Sequence, residues 1–294
     1  MRLNKFISET GLCSRREADQ LIEQGRVKVN GQLATLGTQV EDGDEVRVNG
    51  KQVGAKRQTV YLALHKPRGI TCTTDRRDPT NIIDYLNYPE RVFPIGRLDK
   101  DSEGLILLTN DGDIVNQILR VENQHDKEYR VSVDQPLTPQ FLAGMAKGVP
   151  ILDTVTLPCE LTATGDTSFR MVLRQGLNRQ IRRMCEHFGY EVKRLQRVRV
   201  MNIHLKGLAV GQWRALTLPE IQGLMGDTPT QRLQESGLHA SHQTSARPQQ
   251  VTRRVARGSQ RQPSRTGRAS SSRPASSPPT QRSKRPSQRP KTKH

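Results

Sequence analysis

Asp99 is the residue whose neighbours best equip it for chemistry. It lies in Pro94-Ile95-Gly96-Arg97-Leu98-Asp99-Lys100-Asp101-Ser102-Glu103-Gly104-Leu105, where an apolar lead runs into a polar loop and then into the strand-like Leu105-Ile106-Leu107-Leu108-Thr109. The pattern sets one carboxylate beside one permanent cation, Arg97, in a loop between strands. A carboxylate so placed can act as a covalent nucleophile, and a nearby cation favours its charged form. The same stretch also resembles the opening of a calcium loop, with acids at Asp99, Asp101 and Glu103 and a glycine at Gly104. Its twelfth position is Asn110 where a bidentate Glu is needed, and the flank reads as a strand, so calcium is rejected. Alone, an aspartate in a strand-linking loop is an ordinary turn former, and the rest of the chain decides.

The elements around that loop divide into regions. Residues 1–54 read as a small αα-β unit. Leu3, Phe6 and Ile7 follow helical spacing, and Gly11 can close that helix. Ser14-Arg15-Arg16-Glu17 has the form of a capping box, with Ala18, Leu21 and Ile22 as the buried stripe behind it. Gly25 ends the second helix, and Asn30-Gly31 and Asn49-Gly50 predict tight turns between short strands. Residues 55–58 read as a linker. The region 59–225 alternates as strands over 60–64, 105–109, 128–133, 169–173 and 201–205. Helices are expected over 83–86, 113–120, 139–147, 178–188 and 219–224. Without regular βαβ repetition this pattern argues for an α+β fold.

Charge narrows the partner. The 294 residues carry a formal net charge of +18, which calls for a polyanion. From Asp227 onward there are fifteen Lys and Arg against two acids, so 15 − 2 = +13, which leaves +5 on residues 1–226. Residues 226–294 lack Phe, Tyr and Trp and are rich in Ser, Pro, Gln and Arg, so they read as a disordered basic tail. Such a tail is either a solubilising segment or an arm that adds affinity for RNA without sequence choice. Cys13, Cys72, Cys159 and Cys185 are scattered, with neither zinc spacing nor a disulfide framework. No apolar run approaches the roughly 20 residues of a membrane span, and no signal-peptide core follows Met1. A cytoplasmic protein that does not engage membranes is expected. There is no dinucleotide fingerprint, phosphate loop or nucleophile elbow.

Several separated motifs carry a resemblance. Leu3-Asn4-Lys5-Phe6-Ile7, Ser14-Arg15-Arg16-Glu17-Ala18 and Val27-Lys28-Val29-Asn30-Gly31 resemble the small RNA-binding fold shared by a small-subunit ribosomal protein and many RNA-modifying enzymes. There Lys5, Arg15, Arg16, Arg26 and Lys28 are candidates to meet phosphates. His65-Lys66-Pro67-Arg68-Gly69, Gly96-Arg97-Leu98-Asp99, Lys127-Glu128-Tyr129-Arg130-Val131 and Gly176-Leu177-Asn178-Arg179-Gln180-Ile181-Arg182-Arg183-Met184 are similar to the motifs of the RsuA-type branch of pseudouridine synthases. The resemblance covers about residues 1–224. It implies an RNA-binding module followed by a mixed, mostly antiparallel-sheet catalytic domain, acting as a monomer on large-subunit ribosomal RNA, with tRNA left open as a second substrate.

The reaction so implied is an isomerisation. Uracil is cut from ribose at N1, turned, and rejoined through C5, without redox change or net hydrolysis, so neither cofactor nor metal is needed. Asp99 would be the nucleophile, attacking sugar C1′ or base C6. Arg182 would be its basic partner, Tyr129 would stack on the flipped base, and Ile181 would pack on its other side. Arg97, Arg179 and Arg183 would meet phosphate or brace the loops. The rival reading is a non-enzymatic RNA-binding or ribosome-assembly factor, which needs no convergence of Asp99, Tyr129 and Arg182. A DNA-binding regulator is disfavoured because no helix-turn-helix or basic-zipper pattern appears.

Overall fold

The computed structural model describes residues 1–54, 58–119, 125–225 and 249–250. Most of the expected linker and, apart from 249–250, the expected disordered tail lie outside them. The N-terminal unit has helices α1 (Leu3–Glu9) and α2 (Arg15–Glu23) against strands β1 (Val27–Val29), β2 (Gln32–Leu33), β3 (Val46–Val48) and β4 (Lys51–Gln52), in sheet order β2-β1-β3-β4. The capping box forms as its sequence predicts. Ser14 Oγ accepts the Glu17 N–H at 3.2 Å, and Glu17 Oε2 accepts the Ser14 N–H at 2.7 Å. Both Asn-Gly pairs have positive φ at each residue, 49° and 83° at 30–31 and 53° and 76° at 49–50, the left-handed pair that a two-residue hairpin needs. Leu3, Ile7, Ala18, Ile22 and Val27 close the small core.

The larger region builds one mixed sheet. Its strands are β5 (Tyr61–Lys66), β6 (Phe93–Ile95), β7 (Glu103–Thr109), β8 (Lys127–Val133), β11 (Glu160–Gly165), β12 (Ser168–Leu173), β13 (Val192–Val200), β14 (Ile203–His204), β15 (Gln212–Ala215) and β16 (Gln249–Gln250). The order is β11-β12-β8-β13-β7-β5-β15-β16, with β14 on β13 and β6 on β7. Strands β9 (Pro150–Ile151) and β10 (Thr154–Val155) form a separate hairpin. The helices are α3 (Ile82–Leu86), α4 (Gly112–Leu119), α5 (Pro139–Lys147), α6 (Gln180–His187) and α7 (Leu218–Met225). The pairing of β7 with β13 is parallel, and the neighbouring pairings are antiparallel. None of the helices among the described residues is long and apolar enough to cross a membrane.

Two sequence expectations need correction. The strand expected over 201–205 is interrupted. Met201 turns with φ at 50°, and only Ile203–His204 pair back onto the preceding strand. That preceding strand, β13, was not foreseen, yet it is central. It brings polar side chains inside, with Arg197 only 5% exposed, and bulges at 192–194 and 197–199 break its alternation.

The sheet opens where the site lies. β5 occupies one edge of β7 over residues 104–109. The other edge is shared, β13 pairing at 103–104 and β6 at 107–109. β13 and β6 therefore diverge, and the loop joining β6 to β7, which carries Asp99, overhangs the gap. Gly104 is the seam. A Cβ there would lie 2.2 Å from the Arg197 carbonyl oxygen, so only glycine permits the approach of β7 to β13.

Candidate active site

A cleft of about 1000 Å³ occupies this gap. It is lined by the apolar side chains of Ile95, Leu107, Leu195, Val200, Leu177 and Ile181, by the Tyr129 ring, and by Asp99 and Arg97. The register explains part of the convergence. Lys66, Gly104, Arg197, Tyr129 and Met171 form one transverse row across β5, β7, β13, β8 and β12.

The Asp99 loop is pinned from several sides. Leu98 is buried, and its N–H is donated to Cys72 Sγ at 3.3 Å. The Lys100 carbonyl accepts the Gly69 N–H at 2.7 Å, and the Asp99 carbonyl accepts the Ser102 N–H at 3.1 Å. Beneath the loop Lys66 is fully buried, with Nζ donating to the Pro67 carbonyl at 2.9 Å and the Ile70 carbonyl at 2.8 Å. Burial pushes the Lys66 amine down to about 8, with Arg197 adding to the shift, while Cys72, Asp101 and Asp99 oppose it. The Asp99 side chain itself stays 32% exposed.

Helix α6 presents the cations. Ile181, Met184 and Cys185 are buried and fix the helix on the sheet, which turns Arg179, Arg182 and Arg183 toward the loops. Arg179 caps the helix in the left-handed region, φ 50° and ψ 33°, a conformation costly for a non-glycine residue and typical of functional sites. Arg179 Nη1 lies 3.8 Å from Asp99 Oδ2 and 3.4 Å from Asp101 Oδ1. Arg182 Nη2 lies 3.2 Å from Asp101 Oδ2 and also donates to Ser102 Oγ at 3.3 Å, while Nη1 donates to the Val192 carbonyl at 3.2 Å. Its Nε is buried with no hydrogen-bond partner. Arg183 turns back onto Asn178, donating to its carbonyl at 3.1 Å.

The expected residues are therefore distributed as follows. Asp99, Arg97, Tyr129, Arg179 and Ile181 line the cleft. Arg182 stands behind the Asp99 loop. Its ion pair is with Asp101, and the guanidinium that leans on Asp99 is that of Arg179. In the N-terminal unit, Arg16 and Lys28 are exposed. Arg26 is engaged with Asn49 Oδ1 at 2.6 Å. Lys5 is paired with Asp113 of α4 at 2.8 Å, and Arg15 lies 3.8 Å from the same carboxylate, so these two join the modules to each other. Sequence reading missed Lys66, Cys72, Asp101 and Arg197 as parts of the site. Lys66 lay within the His65-Lys66-Pro67-Arg68-Gly69 motif, and nothing in its neighbours signals that it is buried, since lysine is rarely found fully inside.

Comparison with known proteins identifies the architecture. The RNA pseudouridylate synthase family matches residues 60–187, and the S4 domain matches residues 1–46. The dual-specificity RNA pseudouridine synthase RluF of Escherichia coli is 57% identical over 223 residues, 75% of this chain and 77% of that protein. The ribosomal large subunit pseudouridine synthase B of Bacillus subtilis is 38% identical over 232 residues, 76% of this chain and 95% of that protein. A crystal structure of a pseudouridylate synthase is 30% identical and superposes with a TM-score of 0.57, over 76% of this chain and 99% of that one. An S4-type module ahead of a pseudouridylate synthase sheet, matched along most of the length of such relatives, places this chain among the RNA pseudouridine synthases, in their RsuA-type branch.

Proposed function

We propose that this enzyme isomerises a specific uridine of 23S ribosomal RNA to pseudouridine, with Asp99 as the nucleophile. The module at 1–54 docks RNA and the domain at 59–225 performs the chemistry. A base inside folded RNA must leave its stack to reach a carboxylate on a cleft wall. The cleft is large enough for an extruded nucleotide, and its apolar walls suit a base. Tyr129 offers a ring face and Ile181 an aliphatic one. Asp99 attacks sugar C1′ or base C6, the glycosidic bond to N1 breaks, the base turns within the cleft, C5 is joined to C1′, the bond to Asp99 is released, and the proton lost from C5 is balanced by one gained at N1. Arg179 Nη1, 3.8 Å from Asp99 Oδ2, and Arg182, paired with Asp101, place positive charge beside the nucleophile. Arg97, exposed and lining the cleft, meets the phosphate beside the flipped nucleotide.

The observation that carries this reading is the placement of Asp99. It is a carboxylate on a pinned loop, partly open, at the mouth of a cleft that also holds an aromatic ring and a guanidinium. The large-subunit assignment is supported by the name of the B. subtilis relative, a ribosomal large subunit pseudouridine synthase. The E. coli relative is named a dual-specificity enzyme, so a tRNA is tested beside ribosomal RNA. The protein is taken to act in the cytoplasm as a monomer.

The test is Asp99→Asn, which keeps size and most hydrogen bonding and removes the nucleophilic charge. The variant should bind RNA normally and form no pseudouridine. Product at near wild-type rate would remove the assignment. Pseudouridine mapping in ribosomal and transfer RNA from cells lacking the gene identifies the target.

A further inference from the structure

We infer that Asp101 is a positioning residue for this reaction, a carboxylate that shares two guanidiniums between its two oxygens and so aims one of them at Asp99. The inference rests on the reading of Asp99 as nucleophile. Oδ1 of Asp101 faces Arg179 Nη1 at 3.4 Å, and Oδ2 faces Arg182 Nη2 at 3.2 Å. The Asp101 main-chain carbonyl accepts from the same Arg182 nitrogen at 3.4 Å, so Arg182 is gripped by side chain and backbone together. Arg179, held from one side by Asp101, is left 3.8 Å from Asp99 Oδ2. Burial alone would raise the Asp101 carboxyl, but Arg182 and Arg179 together hold it below the usual carboxylate range, so it is an anion at working pH.

The arrangement solves a physical problem. Two guanidiniums three residues apart, at the cap and in the first turn of one helix, repel each other, and long side chains lose much rotamer entropy on being fixed. An acid between them cancels the repulsion and selects one rotamer for each. Asp101 is two residues beyond Asp99 in the same pinned loop, so nucleophile and clamp move as one body. Asp101 does not line the cleft, whereas Asp99 and Arg179 do. It therefore acts through the arginines and not on the base.

Asp101 is half exposed, so Asp101→Asn should fold. The steady-state expectation is a kcat lower by about 10- to 100-fold, the scale of a displaced catalytic group. RNA affinity should stay within about threefold, because no phosphate contact is removed. Asp101→Glu restores the charge and should recover part of the lost kcat. The decisive measurement is a double-mutant cycle with Arg179→Gln, read by single-turnover rates. If Asp101 works through Arg179, adding Asp101→Asn to Arg179→Gln costs far less than it does alone. Additive losses would mean an independent structural effect and overturn the inference, as would a wild-type kcat for Asp101→Asn. Asp99→Asn is run in parallel. Turnover by that variant sinks the nucleophile reading, whereas an inactive Asp99→Asn beside a fully active Asp101→Asn sinks this inference alone.

Discussion

Replacing Gly104 by alanine tests whether the β7–β13 seam is as tight as it is drawn. The added Cβ would meet the Arg197 carbonyl oxygen at 2.2 Å, its nitrogen at 2.6 Å and its carbonyl carbon at 2.9 Å. All three are main-chain atoms of a central strand, so no side chain can swing aside. The backbone there also has φ at +117°, which L residues rarely adopt. Overpacking costs roughly 1–3 kcal/mol, and a disfavoured backbone conformation adds about 1–3 kcal/mol. The sum, about 2–6 kcal/mol, corresponds to a thermal midpoint lower by roughly 4–24 °C, at about 2–4 °C per kcal/mol for a chain of this size. The assay is thermal and urea unfolding followed by circular dichroism. Gly176→Ala is the control. Nothing lies within 4 Å of a Cβ there and its φ is ordinary, so its midpoint should hardly move. If the two variants unfold together, the seam is not close-packed and the account of how the cleft is held open collapses.

Lys66 gives a pH signature. Its folded pKa, about 8, lies below the ordinary 10.5, so the unfolded chain holds this proton more tightly and stability rises with pH between roughly 8 and 10.5. Below that window the penalty of a buried charge is fully present and constant. The unfolding free energy of the wild type should therefore gain on that of Lys66→Met as pH climbs from 8 to 10, and parallel curves would show that the amine is not desolvated. Truncation after residue 226 removes fifteen basic residues and +13 of charge. Turnover at saturating RNA should persist, and the slope of log affinity against log salt should become shallower by a few units, each lost phosphate contact being worth roughly 0.7–0.9. An unchanged slope would assign the tail a solubilising role.

Local chemistry was legible in the sequence. Ser14 and Glu17, and the two Asn-Gly turns, form what their residue types dictate, because capping and left-handed turns are decided within a few residues. Asp99 was legible through the loop that carries it. Long-range polar burial was not. β13 reads as a charged segment because Arg197 is inside, where its Nε donates to the Leu105 carbonyl at 2.7 Å. Nothing in its neighbours announces that partner. Likewise the choice of Arg182 for Asp101, and of Lys5 for Asp113, depends on which surfaces the sheet brings together. Helix ends shifted by one or two residues, as at α6, where the loop before Gln180 is held by its own side chain accepting the Leu177 N–H at 3.0 Å.

The position of β13 sets an order of events for a chain being synthesised. The hairpin that carries Asp99, β6 with β7, is complete early, and β8 with Tyr129 follows. The strand that must enter between β7 and β8 is made only after α6 has been laid down. Until then β7 and β8 are separate edges with unpaired backbone groups, and Asp99 has no wall opposite it. Closing the site requires a contact between segments far apart in sequence, the slow class of folding step. A nascent or prematurely terminated chain thus carries the S4-type module and the complete Asp99 loop but no cleft.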